Sequence, residues 1–189
     1  MQKQHLPKEV LFLYKKKYGN IRAGAWLTME MNQTNTVLML LIGTAFMLGG
    51  IAVRFIVGSP HMTLLALGVG GIVPPSWVMC LCWTVSFFTV GCAAGFVLGY
   101  KDRSCEVDKY KGCTLFVLLA VLELCWYPTF FGAAWLFLSV FESILILCLA
   151  VCVTVCFSRV TKLAGFLLVL HDIWLIYILI LNFAVFFRA

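Results

Sequence analysis

The amino-acid sequence predicts an all-α membrane protein, a bundle of five transmembrane helices. Of its 189 residues, 63% are hydrophobic and only 12% are charged, whereas a soluble domain is about a quarter charged. The mean hydropathy is +1.02. Unbroken apolar runs of about 20 residues recur, the length of a helix that crosses a bilayer. Because a transmembrane strand needs only about ten residues of alternating polarity, these runs indicate helices and not a barrel.

The predicted spans are separated by polar or broken segments. They cover residues 36–57, 75–98, 113–131, 134–157 and 163–187. The connection over residues 58–74 contains glycines and prolines but no Asp, Glu, Lys or Arg, and we interpret it as a segment folded over the mouth of the bundle. Most of the nine cysteines lie inside the spans, where thiols behave as small apolar groups. We therefore predict neither a disulfide framework nor a metal site.

A basic N-terminal segment, residues 1–33, precedes the five-helix domain of residues 34–189. Lys and Arg outnumber Glu in this segment. It either lies on anionic lipid headgroups or forms a solvated tail, and both interpretations stay open.

The distribution of basic residues predicts the orientation of the protein. All Lys and Arg except Arg54 and Arg188 fall in residues 1–32, 99–112 and 158–162, which five spans place on one side of the membrane. The positive-inside rule then predicts a cytoplasmic N-terminus. We expect an integral multi-pass protein, with a bacterial cell membrane favoured and the mitochondrial outer membrane as the alternative.

Three glycines in the second span share one helix face. Gly91, Gly95 and Gly99 are spaced four residues apart, which lets another helix approach closely. We interpret this face as the seam of a homodimer, with packing inside one chain as the alternative.

Several stretches together resemble the translocator protein (TspO/MBR) family, also called the peripheral benzodiazepine receptor or tryptophan-rich sensory protein family. They are VPPSWVMCLCWTVSFFTVGCAAGFV (73–97), LELCWYPTFFGA (122–133) and LHDIWLIYILILNF (170–183), and the similarity covers about residues 40–187. The resemblance implies a five-helix bundle, often dimeric, with a pocket that binds porphyrins or other flat hydrophobic ligands. Some members of that family also bind sterols.

By position, the resemblance also implies the site residues. Trp83 and Trp174 match pocket tryptophans, and Arg54 matches an arginine at the end of the first helix. Glu123 stands where the family has a pocket asparagine. Phe183 stands where the vertebrate sterol motif has a tyrosine.

Helical spacing independently indicates a pocket. On the fifth span, His171, Trp174, Ile178 and Asn182 recur every three or four residues and share one face. Aromatic pairs with similar spacing are Trp83 with Phe87 on the second span, and Trp126 three residues after Glu123 on the third. Facing rings would form a slot for a planar ligand. The alternatives are ordinary packing or an interfacial aromatic belt.

Two acids lie within predicted spans. A charge at mid-membrane costs about 2.5–3.5 kcal/mol, so Glu123 should face the interior and have a partner. His171 is the expected partner, with Asp172 as a further ionisable neighbour. Glu142 and Arg54 have similar predicted depths and could form a second pair.

The sequence thus predicts a membrane receptor or carrier that binds a hydrophobic planar, porphyrin-like or tetrapyrrole-like ligand between its helices. No cofactor is required, although a porphyrin or haem could bind, with His171 and His61 as candidate iron ligands. Expected partners are membrane lipid, a small hydrophobic ligand and a second copy, but not nucleic acid. A tetrapyrrole-degrading enzyme and a proton-coupled transporter are the rivals. Catalysis is not favoured and no catalytic residue is assigned, because Glu123 and His171 lack a third member.

Overall fold

The computed structural model describes residues 33–58, 74–100 and 105–188, and these ranges are helical almost throughout. The five helices are α1 (Gln33–Val57), α2 (Ser76–Gly99), α3 (Glu106–Tyr127), α4 (Leu136–Val160) and α5 (Lys162–Phe186), with a π-helical turn, Pro128–Gly132, after α3. Each is long and apolar enough to cross a membrane. The predicted all-α, five-span architecture is therefore confirmed.

Two predicted segments fall largely outside these ranges. The basic segment of residues 1–33 and the covering segment of residues 58–74 are described only at Gln33, Gly58 and Pro74. Both therefore stay predictions.

Helix α3 begins at Glu106, well before the predicted start at residue 113. Glu106 and Asp108 lie in its first turn, where negative charge interacts favourably with the helix dipole. Asp108 also pairs with Arg159 at 3.5 Å. The ammonium group of Lys109 donates hydrogen bonds to the carbonyls of Leu98 and Tyr100, at 2.7 and 2.8 Å. These contacts stabilise an extra helical segment that hydropathy alone does not indicate.

The third span ends in a wide turn at Pro128. The N–H of Ala133 donates to the carbonyl of Pro128 at 2.9 Å, the five-residue spacing of a π-helix. Ala134 then adopts a left-handed conformation, with φ of 52°, and the chain reverses into α4. Phe130 and Phe131 are buried by this turn.

Glycines bring α1 and α2 into close contact. A Cβ atom on Gly91 would lie 2.7 Å from the Cα of Gly43, and one on Gly95 would lie 2.6 Å from the Cα of Met39. The α2 face around Gly91 and Gly95 is therefore covered by α1 of the same chain. The dimer-seam interpretation of this face was wrong, and packing inside one chain is what the spacing serves.

The α2–α3 and α4–α5 connections lie at the same end of the bundle. The thiol of Cys105 lies 3.7 Å from the carbonyl of Arg159, which joins the two connections. At the other end, the hydroxyl of Tyr127 donates to the carbonyl of Gly58 at 3.4 Å. The contacts of Lys109 and Arg159 place these two basic residues at the same end of the bundle, as the five-span alternation requires.

Candidate ligand-binding site

A cavity of about 460 Å³ lies between α1, α2 and the end of α3. This volume is within the usual range of small-molecule sites, about 300–1,000 Å³. Its lining residues are mainly apolar: Met47, Gly50, Ile51, Arg54, Phe55, Gly58, Cys80, Trp83, Thr84, Phe87 and Tyr127. We call it the main pocket. Gly50 faces the ring of Phe87 across the helix contact, which brings α1 close to the aromatic side of α2.

Trp83 is the centre of an aromatic cluster behind this pocket. Its ring centroid lies 5.2 Å from that of Phe87 and 5.5 Å from that of Trp126. Trp174 meets it edge to face at 5.8 Å and stacks on Tyr177 at 5.1 Å. Spacings of 4.5–7 Å are those of favourable aromatic pairs. Rings from α2, α3 and α5 thus hold Trp83 in place.

Arg54 is a basic residue on a largely apolar wall. It lies in the last turn of α1 and is half-buried. Within the described ranges its guanidinium forms no ion pair, and the predicted pair with Glu142 is not formed. Glu142 is instead buried on α4. The predicted pairing was wrong, because similar depth along the membrane normal does not place two side chains on facing sides of helices.

Glu123 and His171 meet in the core of the bundle. Oε1 of Glu123 lies 2.7 Å from Nε2 of His171, and both side chains are almost completely buried. The contact is an ion pair only when the imidazole of His171 is protonated and the carboxyl group of Glu123 is ionised. The predictions that Glu123 faces the interior and that His171 is its partner are confirmed.

Ser86 is a third buried polar residue beside Glu123 and His171, and the sequence analysis did not identify it. Its Oγ lies 2.6 Å from Nδ1 of His171, and Ser86 is also buried. Its position, three residues after Trp83, puts it on the inward face of α2, and this spacing could have indicated it. Ser86, His171 and Glu123 form a chain of contacts across α2, α5 and α3, which we call the buried polar chain.

The buried polar chain has the residue types of a serine-hydrolase triad, but within the described residues Ser86 lies inside a helix and outside the lining of the main pocket. Such catalysis needs free N–H donors aimed at the developing oxyanion. Ser86 lies inside α2, where backbone N–H groups donate to carbonyls four residues back. Ser86 is also not among the residues that line the main pocket. The chain can instead hold and move a proton between neighbouring atoms.

The structure also bears on metal or haem-iron binding by His171. Both ring nitrogens have a close neighbour, Ser86 on one side and Glu123 on the other. Axial ligation would require the loss of one of these contacts. Among residues 33–58, 74–100 and 105–188, no group of three His, Cys, Asp or Glu is arranged to hold a metal ion.

The remaining predicted residues lie away from the main pocket. Asn182 is buried and donates to the carbonyl of Ile178 at 2.8 Å. Asp172 accepts a hydrogen bond of 2.8 Å from Thr154, which ties α5 to α4. Of the predicted site residues, Arg54, Trp83 and Phe87 line the main pocket. Trp126 and Trp174 support Trp83, and Glu123 and His171 form the polar core beside it.

These features define a class of protein: an integral membrane protein of five helices, with an aromatic pocket between the helices and a buried polar core. The chain belongs to the TspO/MBR family, whose family model matches residues 36–188. It is 32% identical over 112 residues to the Tryptophan-rich protein TspO of Chlorobaculum tepidum, an alignment that covers 59% of this chain and 70% of that protein. The resemblance inferred from the tryptophan-containing stretches is thereby confirmed.

Proposed function

We propose that this protein binds a hydrophobic, planar, tetrapyrrole-like ligand in the main pocket. The observation that carries the proposal is the combination of Trp83 and Phe87 with Arg54 around one cavity of about 460 Å³. Aromatic rings offer stacking surface to a flat ligand, and a guanidinium group pairs with carboxylates. A porphyrin with acidic side chains has both features.

The proposed role is that of a receptor or carrier in the bilayer. Among the described residues, the other helices bury little of α1, which forms one wall of the pocket. A hydrophobic ligand could therefore exchange between the pocket and the surrounding lipid. The cluster of basic residues at one end supports a cytoplasmic N-terminus, and the relative from Chlorobaculum tepidum supports a bacterial cell membrane. A homodimer remains part of the proposal, through a surface other than the Gly91–Gly95 face.

The test compares a porphyrin dicarboxylic acid, protoporphyrin IX, with its dimethyl ester. Binding to the purified protein is followed by quenching of tryptophan fluorescence. We expect the free acid to bind about tenfold more tightly than the ester, since a charge-assisted hydrogen bond contributes about 1.5–3 kcal/mol and 1.4 kcal/mol is tenfold. Arg54→Gln should remove this difference and leave ester binding unchanged. If neither form binds, the proposed function is wrong.

The same preparation separates a receptor or carrier from a tetrapyrrole-degrading enzyme. A receptor or carrier returns the porphyrin unaltered when the complex is extracted, with its absorption spectrum intact. Progressive loss of that spectrum, in the light or with an oxidant, at a rate that depends on Trp83 would favour the enzyme.

A further inference from the structure

A second, much smaller cavity lies against Glu123. Its volume is about 10 Å³, close to the least that holds one water molecule. Its wall includes Trp83, Glu123, Trp126 and Ser143. Trp83 therefore lines both this cavity and the main pocket.

Several buried polar atoms around this cavity have no hydrogen-bond partner within the described part of the chain. They include Oε2 of Glu123 and the indole nitrogens of Trp83 and Trp126. A buried polar group without a partner costs about 1–3 kcal/mol, so native proteins usually satisfy such groups with water or a ligand. A single water in this cavity would find the carboxyl oxygen as acceptor and an indole N–H as donor.

The buried polar chain can exist in more than one protonation state. A neutral imidazole has one donor nitrogen and one acceptor nitrogen. Depending on the tautomer of His171, Ser86 and Glu123 each lie next to the donor nitrogen or the acceptor nitrogen. With neutral His171 and ionised Glu123, the group carries one negative charge inside the bundle. One additional proton, on the carboxyl group of Glu123, makes it neutral overall. An uncompensated charge is costly in an apolar interior, so the surroundings decide whether that proton is kept.

Other ionisable groups lie on the helices around the buried polar chain. Asp172 of α5 interacts electrostatically with both His171 and Glu123. On α4, Glu142 directly precedes Ser143 of the small cavity in sequence, and on α2 Cys82 directly precedes Trp83. Any measurement of pH dependence must distinguish the effect of these three groups from the effect of Glu123.

We propose that Glu123, His171 and Ser86 form a buried proton-binding site whose occupancy is linked, through Trp83, to the binding of ligand in the main pocket. The linkage rests on the proposed function, whereas the proton site itself does not. A ligand stacked on Trp83 fixes that ring and seals the cavity beside Glu123 from water. The drier cavity favours the neutral state, so ligand binding takes up one proton. On release, the O–H bond at Glu123 breaks and the proton passes to water in the small cavity.

The sign of the linkage follows from this arrangement. Because the ligand-bound state holds the proton more firmly, affinity for the ligand falls as pH rises, and the proton binds more tightly when ligand is present. A single linked proton limits the change to about tenfold per pH unit. Over pH 5 to 8, the range in which an ordinary histidine changes charge, we expect a change of at least several-fold.

The experiment has one arm without ligand. Infrared spectra of the full-length protein in lipid are compared for wild type and Glu123→Gln as pH varies. We expect a protonated-carboxyl band that titrates in wild type and is missing in Glu123→Gln. Asp172→Asn and Glu142→Gln are matched controls that should keep this band. If the wild-type band does not titrate, or also persists in Glu123→Gln, the proton site is wrong.

The second arm measures protoporphyrin IX affinity against pH, with proton uptake followed by an indicator dye in weak buffer. Wild type and Asp172→Asn should lose affinity as pH rises, and Glu123→Gln should give a flat curve. If Glu123→Gln fails to fold, Glu123→Asn serves as a second non-titrating variant. If affinity depends on pH equally in wild type and in the Glu123→Gln or Glu123→Asn variant, or if ligand binding takes up no proton, the linkage is wrong. Failure of wild type to bind at any pH would instead overturn the proposed function, and the infrared arm would still decide the proton site.

Discussion

Nε2 of His171 lies 2.7 Å from Oε1 of Glu123, and this contact joins α5 to α3 in the middle of the bundle. An acid inside a membrane span needs a partner, because a charge in hydrocarbon is expensive. His171 is that partner, and Ser86 completes the contact on the far side of the imidazole. Three helices therefore share one polar arrangement, directly beside the aromatic cluster that walls the main pocket.

Loss of one member of this contact should destabilise the protein. His171→Ala leaves Glu123 buried without its partner, and breaking a buried pair costs about 3–5 kcal/mol. The double substitution of Glu123 and His171 by leucine should cost less than His171→Ala alone, because no unpaired charge remains. Unfolding in mixed micelles measures both. Leu170→Ala, at an exposed neighbouring position, is the control and should have a small effect. An equally small effect of His171→Ala would show that the contact is not important for stability.

The two pocket tryptophans implied by the family resemblance should contribute unequally. Trp83 lines the main pocket, whereas Trp174 contacts Trp83 edge to face. Losing one aromatic contact costs about 0.5–1.5 kcal/mol, so Trp83→Leu should weaken porphyrin binding several-fold. Trp174→Leu should weaken it less, through looser support of Trp83.

Fluorescence titration with protoporphyrin IX measures both affinities. Trp77→Leu is the control, since Trp77 is 70% exposed and outside the main pocket. A larger loss for Trp174→Leu than for Trp83→Leu would place the ligand elsewhere.

The glycine contact between α1 and α2 should govern folding of the single chain. Gly95→Leu inserts a side chain where even a Cβ would lie 2.6 Å from the Cα of Met39, so α1 must move away from α2. We expect a lower yield of folded protein and a lower unfolding temperature. Gly49→Leu is the matched control, because a Cβ there meets nothing within 4 Å. Chemical cross-linking of wild type and Gly95→Leu tests whether this glycine face forms a dimer contact. If Gly95→Leu folds normally but changes from dimer to monomer, the dimer-seam interpretation is correct after all.

Labelling of a single cysteine can determine the orientation of the protein in the membrane. In a variant that keeps only Cys105, a membrane-impermeant maleimide should label the protein from the cytoplasmic side, because Cys105 lies beside the basic residue Arg159 at one end of the bundle. A cysteine in place of Phe187, which is 79% exposed at the end of α5, should be labelled from the other side. Intact and inverted vesicles distinguish the two. The reverse pattern would mean that the positive-inside assignment fails for this protein.

Local chemistry was sufficient to predict the five spans and the inward direction of Glu123. A run of about 20 apolar residues crosses the bilayer whatever its neighbours are, and the cost of a charge in hydrocarbon acts on Glu123 in any packing arrangement. The recurrence of His171, Ile178 and Asn182 on one face follows from the helical period alone. All three are buried. Pro128 similarly marks the end of the regular α3 helix, because proline removes a donor and clashes with the preceding turn.

Contacts between residues distant in sequence determine features that the local sequence pattern does not, such as where α3 begins and which helix packs against Gly91 and Gly95. Glu106 to Gly112 extends α3 with help from Arg159 and from the carbonyls of Leu98 and Tyr100, which no window of hydropathy includes. The spacing of Gly91 and Gly95 suits any approaching helix, and only the three-dimensional path of the chain makes that helix α1.

Arg54 and Glu142 have the right depth but do not meet, since the azimuth of each helix about its axis depends on all its neighbours. Ser86 becomes part of a site for the same reason: a serine inside a helix has no distinctive local signal, and only the packing of α5 against α2 brings the imidazole of His171 within 2.6 Å. Hydrophobic length and charge act on each segment separately, whereas a binding site is a relation between segments, and close packing of whole helices determines that relation.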